Sequence, residues 1–418
     1  MESELINFNK AEIPRIEANV LRTIEKKLNR RLLLVDSIEH DTVGFVAEDN
    51  QVIGLGLHKF KLKSLPDTIG FLKLLKTLWV YEGELKNIPT SLGQLSNLED
   101  LYLHNNQLNS LPKAMFSSLT SLRRCHLGGN QLKELPDSLD SLENLEELYL
   151  TGSPYEMELT DLPPSFSNLT SLKILWISGN RFTHLPEVLG ELKLLEQLYV
   201  NDNAREEWPE PRTTPPGPGV KVGGIKEIPK WLCSLKNLTH LQLSNNQIIN
   251  VPACIGNLKS LEELNLYNNS ISQLPEAIGN LKSLRVLGVW RNNLSTLPES
   301  LCSLTSLKSL NVGENPIKKL PAEIGALTQL EELDVSDCSL NTLPYSIGKI
   351  SSLKRLKLQE NQNIVLPESL LECELLKNIT LTETLKKQGN PTKKVVKKLK
   401  KRGAEIEWVP KRRQHPER

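Results

Sequence analysis

Aromatic and imidazole rings recur in the first half of the chain at a nearly constant spacing. At intervals of 23 to 27 residues the sequence places Trp79, Tyr102, His126, Tyr149, Trp176 and Tyr199, which we call the ring column. Phe, Trp and Tyr make up only 5% of the chain, so composition alone does not explain this series. Each large ring can bury about 150–250 Å², and such rings are enriched at the centres of protein interfaces. The chemistry they suggest is apolar recognition of another protein.

Further candidate partner-binding residues flank the ring column or follow it. They are Tyr81, His104, Trp208, Tyr267, Trp290 and Arg291. A second interpretation is open, because rings on neighbouring strands can stack on one another and only stabilise a sheet.

Sequence motifs for catalysis do not occur in the chain. We find no GxxxxGK[ST], HExxH or GxSxG. His104 and His126 are expected on adjacent strands, but no third metal ligand accompanies them. We therefore expect no enzymatic activity, no cofactor, no metal site and no small-molecule substrate.

A repeated unit is expected to position these side chains. Residues 261–283 are a clean copy of the pattern LxxLxLxxNxLxxLPxxIGxLxx, and about 14 copies span residues 52–385. The LxL segment alternates apolar and polar residues as a short strand does. The ring column occupies position 5 of its repeats, where a side chain points away from the apolar core. Tyr267 and Trp290 occupy position 7, and Arg291 occupies position 8.

The asparagine at position 9 and the Leu-Pro pair are predicted to shape each turn. A buried Asn amide can bond to backbone groups of adjacent repeats, so stacked copies predict a hydrogen-bonded ladder. Phe60, Gly83, Ser153 and Cys338 interrupt that series. Proline ends a strand and favours extended or short helical backbone. The fold class is thus an α/β repeat, a curved coil with a parallel sheet on its concave face.

The repeat resembles the leucine-rich repeat family, in its intracellular 23-residue LPxxIGxL class. That class is similar to plant Ras-group, Scribble-like and Roco-type repeats. The resemblance implies a horseshoe solenoid that acts as a scaffold in signal transduction and holds another protein on its concave face. It also implies a small GTPase or a signalling regulator as a partner.

Both ends of the array are predicted to carry caps. In residues 1–51 we expect a helix followed by a hairpin that turns at Asp49 and Asn50. The apolar stripe of that helix is Ile13, Ile16, Val20, Ile24 and Leu28. For residues 386–409 we predict a basic capping helix, which ends near Gly403, followed by a strand. Residues 410–418 read as a disordered tail.

One long insertion, residues 204–224, interrupts the array. Pro and Gly supply nine of its 21 residues, so we expect no regular structure there. It is either a lid over the ring column, anchored by Trp208, or a disordered spacer.

Charge and cysteine usage limit the remaining choices. The formal net charge is +1, whereas residues 386–418 contain 13 Lys and Arg against 3 Asp and Glu. The six cysteines are scattered, which favours free thiols in a reducing compartment. The N-terminus has no apolar signal segment and no window is apolar enough to span a membrane, so we expect a cytoplasmic protein.

Taken together, these features predict a non-enzymatic scaffold that binds a protein partner on its aromatic face. The alternative is a membrane-surface or nucleic-acid adaptor that acts through the basic C-terminus. We expect neither membrane nor nucleic acid as the main partner, because the lysines there surround an apolar stripe as they do in a solvated capping helix.

Overall fold

The computed structural model describes residues 4–152, 157–207, 220–386 and 392–411, which belong to two compact units. Unit 1 contains residues 1–182 and 186–200. Unit 2 contains residues 183–185 and 201–418. Both are built from the predicted repeat.

Unit 1 holds eleven strands and one α-helix among its described residues. In chain order they are β1 (Leu5–Phe8), β2 (Ala11–Pro14), α1 (Arg15–Leu28), β3 (Leu33–Leu34), β4 (Val43–Glu48), β5 (Gln51–His58), β6 (Thr77–Tyr81), β7 (Asp100–Tyr102), β8 (Arg124–His126), β9 (Glu147–Tyr149), β10 (Ile174–Trp176) and β11 (Gln197–Tyr199). The first two strands form a hairpin. Strands β3 to β11 form one sheet in sequence order, parallel except between β4 and β5.

Unit 2 repeats this arrangement. Its described elements are β12 (Ala204–Glu207), β13 (Val220–Gly223), β14 (His240–Gln242), β15 (Glu263–Asn265), β16 (Val286–Gly288), β17 (Ser309–Asn311), β18 (Glu332–Asp334), β19 (Arg355–Lys357), β20 (Asn378–Thr382), α2 (Thr392–Lys401) and β21 (Glu405–Val409). Strands β14 to β21 form a parallel sheet in sequence order.

Short 3₁₀ helices follow the repeat prolines, where a change of backbone was predicted, except Glu383–Lys386, which directly follows β20. In unit 1 they are Asp67–Phe71, Thr90–Gln94, Leu139–Ser141, Pro164–Asn168 and Glu187–Glu191. In unit 2 they are Lys230–Ser234, Ala253–Asn257, Glu276–Asn280, Glu299–Ser303, Ile324–Ala326, Tyr345–Lys349, Glu368–Glu372 and Glu383–Lys386. Pro275 precedes one of them with φ −70° and ψ 148°, an extended conformation that proline favours.

The core of each repeat is its set of apolar residues. Leu261, Leu264 and Leu266 are fully buried. Cys125 takes the place of one such leucine and is equally buried. Within each unit the stacked repeats thus bury a continuous apolar column, which a single repeat cannot do.

The predicted asparagine ladder is present. Asn269 Nδ2 donates to the carbonyls of Leu243 and Leu266 at 3.0 and 2.9 Å, and its Oδ1 accepts from the Ile248 amide at 2.9 Å. Each such side chain therefore ties its own turn to the preceding repeat. Where Cys338 replaces Asn, its Sγ lies 3.6 Å from the Val312 carbonyl.

Position 8 has a conformation that we did not predict. In ten repeats a non-glycine residue there is left-handed, with φ between 47° and 63°. These residues are Lys59, Glu82, Asn105, Asp202, Asn245, Asn268, Arg291, Glu314, Asp337 and Glu360. Gly129 and Gly179 occupy the same position with positive φ. The frequent Asn, Asp and Gly at position 8 are the signal in the sequence, because these residues tolerate that conformation best.

The predicted N-terminal helix and hairpin are both present, with two differences. The helix begins at Arg15, so Ile13 lies in β2, and Ile16 is 47% exposed and does not contribute to the core. Residues before the helix form a hairpin that we did not predict. Glu17 Oε2 accepts from the Val52 amide at 2.8 Å, which attaches the helix to the first repeat. That these elements cap the array stays a prediction.

The C-terminal helix and strand are also present. Val395, Val396 and Leu399 are buried, and Gly403 follows the helix with φ 91°. The strand β21 continues the sheet of unit 2. Most of the tail that we expected to be disordered lies outside the described residues.

The insertion differs from expectation. Its two ends pair as an antiparallel ribbon, with Ala204 opposite Gly223 and Glu207 opposite Val220. The expectation of no regular structure is therefore wrong for these residues. Ser153 and Trp208, a candidate anchor, lie outside the described residues.

The expectation of six free thiols is also wrong. A disulfide joins Cys233 to Cys254, with Cα atoms 5.7 Å apart. The two residues are 21 positions apart in sequence but lie in adjacent 3₁₀ helices, which the repeat brings together. Cys125, Cys302, Cys338 and Cys373 are free and buried. Burial raises the pKa of Cys125 to about 12, so its thiol stays protonated at neutral pH.

Candidate partner-binding surfaces

Strand register in unit 1 brings the ring column together. Trp79 pairs with Tyr102, Tyr102 with His126, and the register continues unbroken to Tyr199. Each ring residue is the last residue of a three-residue strand or, in β6, the residue in register with it. Its side chain therefore points away from the leucine core. All six side chains are half-buried.

The rings contact one another along the whole column. Successive centroids are 4.5, 4.2, 3.9, 6.1 and 4.5 Å apart from Trp79 to Tyr199. Three of these separations lie in the range of about 4.5–7 Å that aromatic pairs favour, and the two that involve His126 are shorter. The rings therefore pack against one another, with Trp176 and Tyr199 stacked at 19° and the other four pairs tilted by 35–43°, and all six remain partly exposed.

The column carries no charge at neutral pH. Burial, with smaller contributions from the charges of His104 and Arg124, lowers the pKa of His126 to about 3. Burial also raises the pKa of Tyr149 to about 12. Both side chains are thus neutral between these values, and the surface that they form is apolar with polar ring edges.

Ion pairs border the column at positions 2 and 3 of its repeats. The Arg124 guanidinium binds Asp100 through two bonds, Nε to Oδ1 at 2.5 Å and Nη2 to Oδ2 at 2.9 Å. Lys173 Nζ lies 2.8 Å from Glu146 Oε2. The neutral surface therefore has a charged rim, as protein interfaces commonly do.

A second row of rings lies at position 7, beside the start of the column. Tyr81 stacks between His58 and His104, with centroid distances of 4.7 and 4.6 Å. His40, which we did not single out in the sequence, lies 5.5 Å from the rings of His58 and Tyr81. The Asp41 amide donates to the Tyr81 hydroxyl at 2.7 Å.

Tyr81 is consequently 1% exposed and does not itself offer a binding surface. Its selection as a contact residue is wrong, because the segment that holds His40 and Asp41 covers the ring. That segment precedes the hairpin, and no repeat pattern relates it to Tyr81. The residue instead supports His104, which is half-buried.

Two buried nitrogen atoms near this row have no hydrogen-bond partner within the described chain, Trp79 Nε1 and His104 Nδ1. An unsatisfied buried polar atom costs about 1–3 kcal/mol. Eight other buried side-chain atoms of the described chain, among them Trp231 Nε1, share this property, so it does not by itself distinguish this corner of unit 1.

The corresponding surface of unit 2 is different. Position 5 holds Gln242, Asn265, Gly288, Asn311, Asp334 and Lys357 in successive repeats. Its predicted aromatic residues, Tyr267 and Trp290, contact each other with centroids 5.6 Å apart, and both are half-buried.

Two clefts adjoin Trp290. The glycine cleft, of about 400 Å³, is floored by Gly288 and lined by Tyr267, Trp290, Asn265 and Asn311. The acidic cleft, of about 280 Å³, lies on the other side of Trp290 and Asn311 and is lined by Glu314, Asp334, Asp337 and Glu360, together with Ser336, Lys357 and Gln359. Arg291 lines neither cleft; it is a turn residue with φ 55°, and its amide donates to the Gly313 carbonyl at 2.9 Å.

Within the described residues, no group of three or more His, Cys, Asp or Glu side chains is placed to hold a metal ion. Likewise, no helix of the described chain combines the length and apolarity that crossing a bilayer requires.

Comparisons with known proteins agree with this architecture. Sequence profiles described as leucine-rich repeats match residues 96–154, 171–192, 236–280 and 282–340. A solved leucine-rich repeat protein of Leptospira interrogans is 30% identical and covers 84% of this chain and 95% of its own, with a TM-score of 0.66. The chain belongs to the leucine-rich repeat family.

An internalin of Listeria monocytogenes, 21% identical, shares the fold, with a TM-score of 0.65 over 87% of this chain and 94% of its own. A search of curated protein sequences gave no match. The leucine-rich repeat solenoid predicted from the sequence is confirmed. Leucine-rich repeats generally mediate protein–protein interaction and are typically non-enzymatic, so the surfaces above are read as interaction surfaces.

Proposed function

We propose that this leucine-rich repeat protein binds a protein partner on the ring column of unit 1. The supporting observation is the column itself, six contiguous neutral rings with a charged rim. The preformed sheet holds these rings in place before binding, so little ordering cost opposes association.

The stacking interpretation is a distinct hypothesis that the same contacts allow. Substitution by the residue type that unit 2 carries at position 5 separates the two. The variant carries Tyr102→Asn and Trp176→Asn. Asparagine is compatible with position 5, because Asn265 and Asn311 occupy it in unit 2. Trp231→Ala, in a 3₁₀ helix outside the column, is the matched control.

The experiment captures proteins on the immobilised full chain and identifies them by mass spectrometry. We expect specific proteins that wild type and Trp231→Ala retain and that the double variant loses at least about 10-fold, the loss of one modest interface contact. Direct titration of each captured protein then confirms its affinity. Capture that survives the double substitution, with only the melting temperature lowered, would leave stacking as the role of the column.

The identity of the partner is a finer proposal. The resemblance to 23-residue Ras-group and Roco-type repeats makes a small GTPase or a signalling regulator the first candidate. A purified Ras-class GTPase, titrated in both nucleotide states, tests it. Binding to neither state by the wild-type chain would remove that candidate.

The adaptor alternative finds less support in the C-terminal helix. Lys394 Nζ lies 2.8 Å from Glu368 Oε1, and Lys386 Nζ lies 5.2 Å from the centroid of the Trp408 ring. The apolar stripe of the helix is buried. These contacts favour a capping helix with a solvated charged face.

We also propose a cytoplasmic location, supported by the four buried free thiols; the Cys233–Cys254 disulfide of the structure is the observation against it. Disulfides persist mainly in oxidising compartments, so the Cys233 and Cys254 pair provides the test. Thiols are alkylated in intact cells before lysis, and the peptides are examined by mass spectrometry. Recovery of both residues as alkylated thiols supports the proposal, whereas a disulfide-linked peptide pair contradicts it.

A further inference from the structure

A cleft of about 770 Å³, which we call the edge cleft, lies near the start of unit 1. It is formed between the turn of the β1–β2 hairpin, the helix α1 and the segment that leads into β3, and Phe8, Lys10, Arg31 and Leu34 are among its lining residues. Its volume is in the range of about 300–1,000 Å³ that ligand sites usually have. No ring-column residue lines it, so it is a separate site.

The strand β3 leaves one of its edges open toward this cleft. Register pairs Leu34 with Phe45 of β4, and the Val35 amide donates to the Phe45 carbonyl at 3.0 Å. Successive residues of a strand direct their N–H and C=O groups to opposite edges. Because Val35 faces β4, Leu34 directs its amide and carbonyl to the other edge. The side chains of Leu33 and Leu34 are 60% and 38% exposed, so this edge is accessible.

The same edge is already completed one step earlier, at Leu32. The Leu32 amide donates to Glu25 Oε1 and the Leu32 carbonyl accepts from Asn9 Nδ2, both at 2.8 Å. These two side chains therefore take the place of a neighbouring strand. Leu34 is two residues further along and faces the same edge. Among the described residues, no side chain does the same for Leu34.

The charge of the edge cleft indicates what kind of segment would pair there. Lys10, Arg22 and Arg31 line it against the single carboxylate of Glu25, a formal charge of +2 (three positive, one negative). The Arg22 guanidinium lies over the Phe8 ring, 5.8 Å from its centroid. Lys10 and Arg31 are exposed and make no ion pair within the described part of the chain. Carboxylates are thus the groups that complement this lining.

The direction of an added strand follows from the single open residue. In an antiparallel ladder, two opposite residues exchange both of their N–H···O bonds, so one partner residue can satisfy both groups of Leu34. The next residues of that partner run alongside Leu33 and back toward Arg31. A carboxylate two or three residues after the paired residue therefore comes near the cations of the cleft.

We propose that the edge cleft binds an acidic, extended segment of a protein partner, which adds antiparallel to β3 at Leu34 and directs its carboxylates to Arg31 and Lys10. Addition of a strand to an open sheet edge gains main-chain hydrogen bonds, and the side chains supply specificity. A second copy of this chain is the less suitable occupant, because its own positive lining would oppose the same charge. The inference goes beyond the proposed function and does not depend on the ring column.

The test is a fluorescence anisotropy titration of the full chain with a labelled peptide of sequence Ser-Ser-Thr-Val-Gly-Glu-Glu. One matched peptide replaces both glutamates by glutamine, and another reverses the order of the residues. We expect the glutamine peptide to bind about 10-fold more weakly, since two partly exposed ion pairs are lost. The reversed peptide should also bind more weakly, because its carboxylates lie on the wrong side of valine.

Two N-methylated peptides test the main-chain bonds. A methyl group on the valine amide removes the donor that antiparallel pairing directs to the Leu34 carbonyl, and should weaken binding at least about 10-fold. The control carries the methyl group on the threonine amide, which points away from β3, and should bind as the parent peptide does.

Protein variants locate the bound peptide. Leu34→Pro removes the outward N–H group, a change that edge strands tolerate, and should weaken binding about 10-fold. Arg31→Gln should weaken it about 3- to 5-fold. Lys26→Gln removes an exposed charge of α1 outside the cleft and should have no effect. Thermal melting shows whether each variant is folded, and if Leu34→Pro is not, the N-methylated peptides test the same pairing.

Equal affinity for the glutamate and glutamine peptides would overturn the inference, as would equal affinity for the two N-methylated peptides. Undetectable binding of the parent peptide to the wild-type chain would also overturn it. Sedimentation of the wild-type chain alone examines the other occupant: a dimer that Leu34→Pro abolishes would assign the edge to a second copy. The double variant Tyr102→Asn with Trp176→Asn should bind the peptide normally, so failure of one proposal is distinguishable from failure of the other.

Discussion

The sheets of unit 1 and unit 2 are built from the same repeat but differ in the chemistry of the side chains at position 5. In both, leucines fill the core, a position-9 asparagine joins adjacent repeats, and successive position-5 side chains are in register. In unit 1 that position holds stacked rings, whereas in unit 2 it holds amides, a glycine, a carboxylate and an ammonium group. The difference teaches that the scaffold leaves the chemistry of position 5 almost unconstrained.

Contacts between neighbouring repeats show how far this independence goes. Rings in unit 1 contact one another at 3.9 to 6.1 Å, so each stabilises the next. In unit 2, Gly288 makes no such contact and opens a cleft instead. Under the proposed function, unit 1 joins stability and recognition in the same side chains, while unit 2 separates them. Two kinds of substitution, in the shared ladder and in the column, examine this contrast.

The largest expected effect is in the ladder, which the two units share. Asn130 in unit 1 donates to two carbonyls and Asn292 in unit 2 to three, and each accepts from one amide of the preceding repeat. Substitution of either by Ala leaves several buried backbone groups unsatisfied and should cost about 3 kcal/mol of unfolding free energy. Urea denaturation followed by circular dichroism measures it.

Asn293→Ala is the control, because this asparagine is the next residue in the chain and is exposed. It should change the unfolding free energy by less than about 0.5 kcal/mol. If only one of the two asparagine substitutions lowered the unfolding free energy, the scaffolds of the two units would not be equivalent. The difference between the units at position 5 would then need another explanation.

The features of this fold that can be predicted from the sequence are those that recur in most repeats. Leu264, Leu266 and Asn269 recur in the same roles in most repeats, so strands, core and ladder follow from one pattern. The ring column also follows, because all six rings share one position in the repeat. The repeat pattern and the register of parallel strands are therefore enough to predict that these six rings lie side by side.

Features that depend on a single local contact were missed. His40 covers Tyr81 from a segment that belongs to no repeat, so the sequence shows no relation between them. The disulfide of Cys233 depends on two adjacent 3₁₀ helices that happen to carry cysteine at facing positions. The glycine cleft likewise results from one missing side chain. Such events occur once and leave no periodic signal.

The smaller expected effect is a pH dependence that belongs to unit 1. His126 has its pKa lowered to about 3 by burial, whereas an unfolded histidine has a pKa of about 6.5. The unfolded state therefore binds more protons below pH 6.5, and the stabilising contribution of neutral His126 is present above that pH and lost as the pH falls toward 3. Each pH unit in this window costs up to about 1.4 kcal/mol per histidine. Burial lowers the pKa of His104 as well, so its effect has the same sign.

Between pH 7 and pH 5 the wild-type chain should thus lose about 2 kcal/mol through His126, and His126→Gln should remove that part of the slope. The ion-paired carboxylates with lowered pKa, such as Glu146, begin to contribute only at more acidic pH, since their lowering starts from 4.5. The inverse variant, Gln242→His, places a histidine at the same strand position in unit 2, where Gln242 Nε2 lies 2.6 Å from Glu263 Oε1. A carboxylate at that distance favours the protonated ring, so this variant should not steepen the acid loss. A steeper acid loss in Gln242→His would mean that position 5 itself lowers the pKa of a histidine, without the neighbouring rings. The two surfaces would then differ less than their side chains indicate.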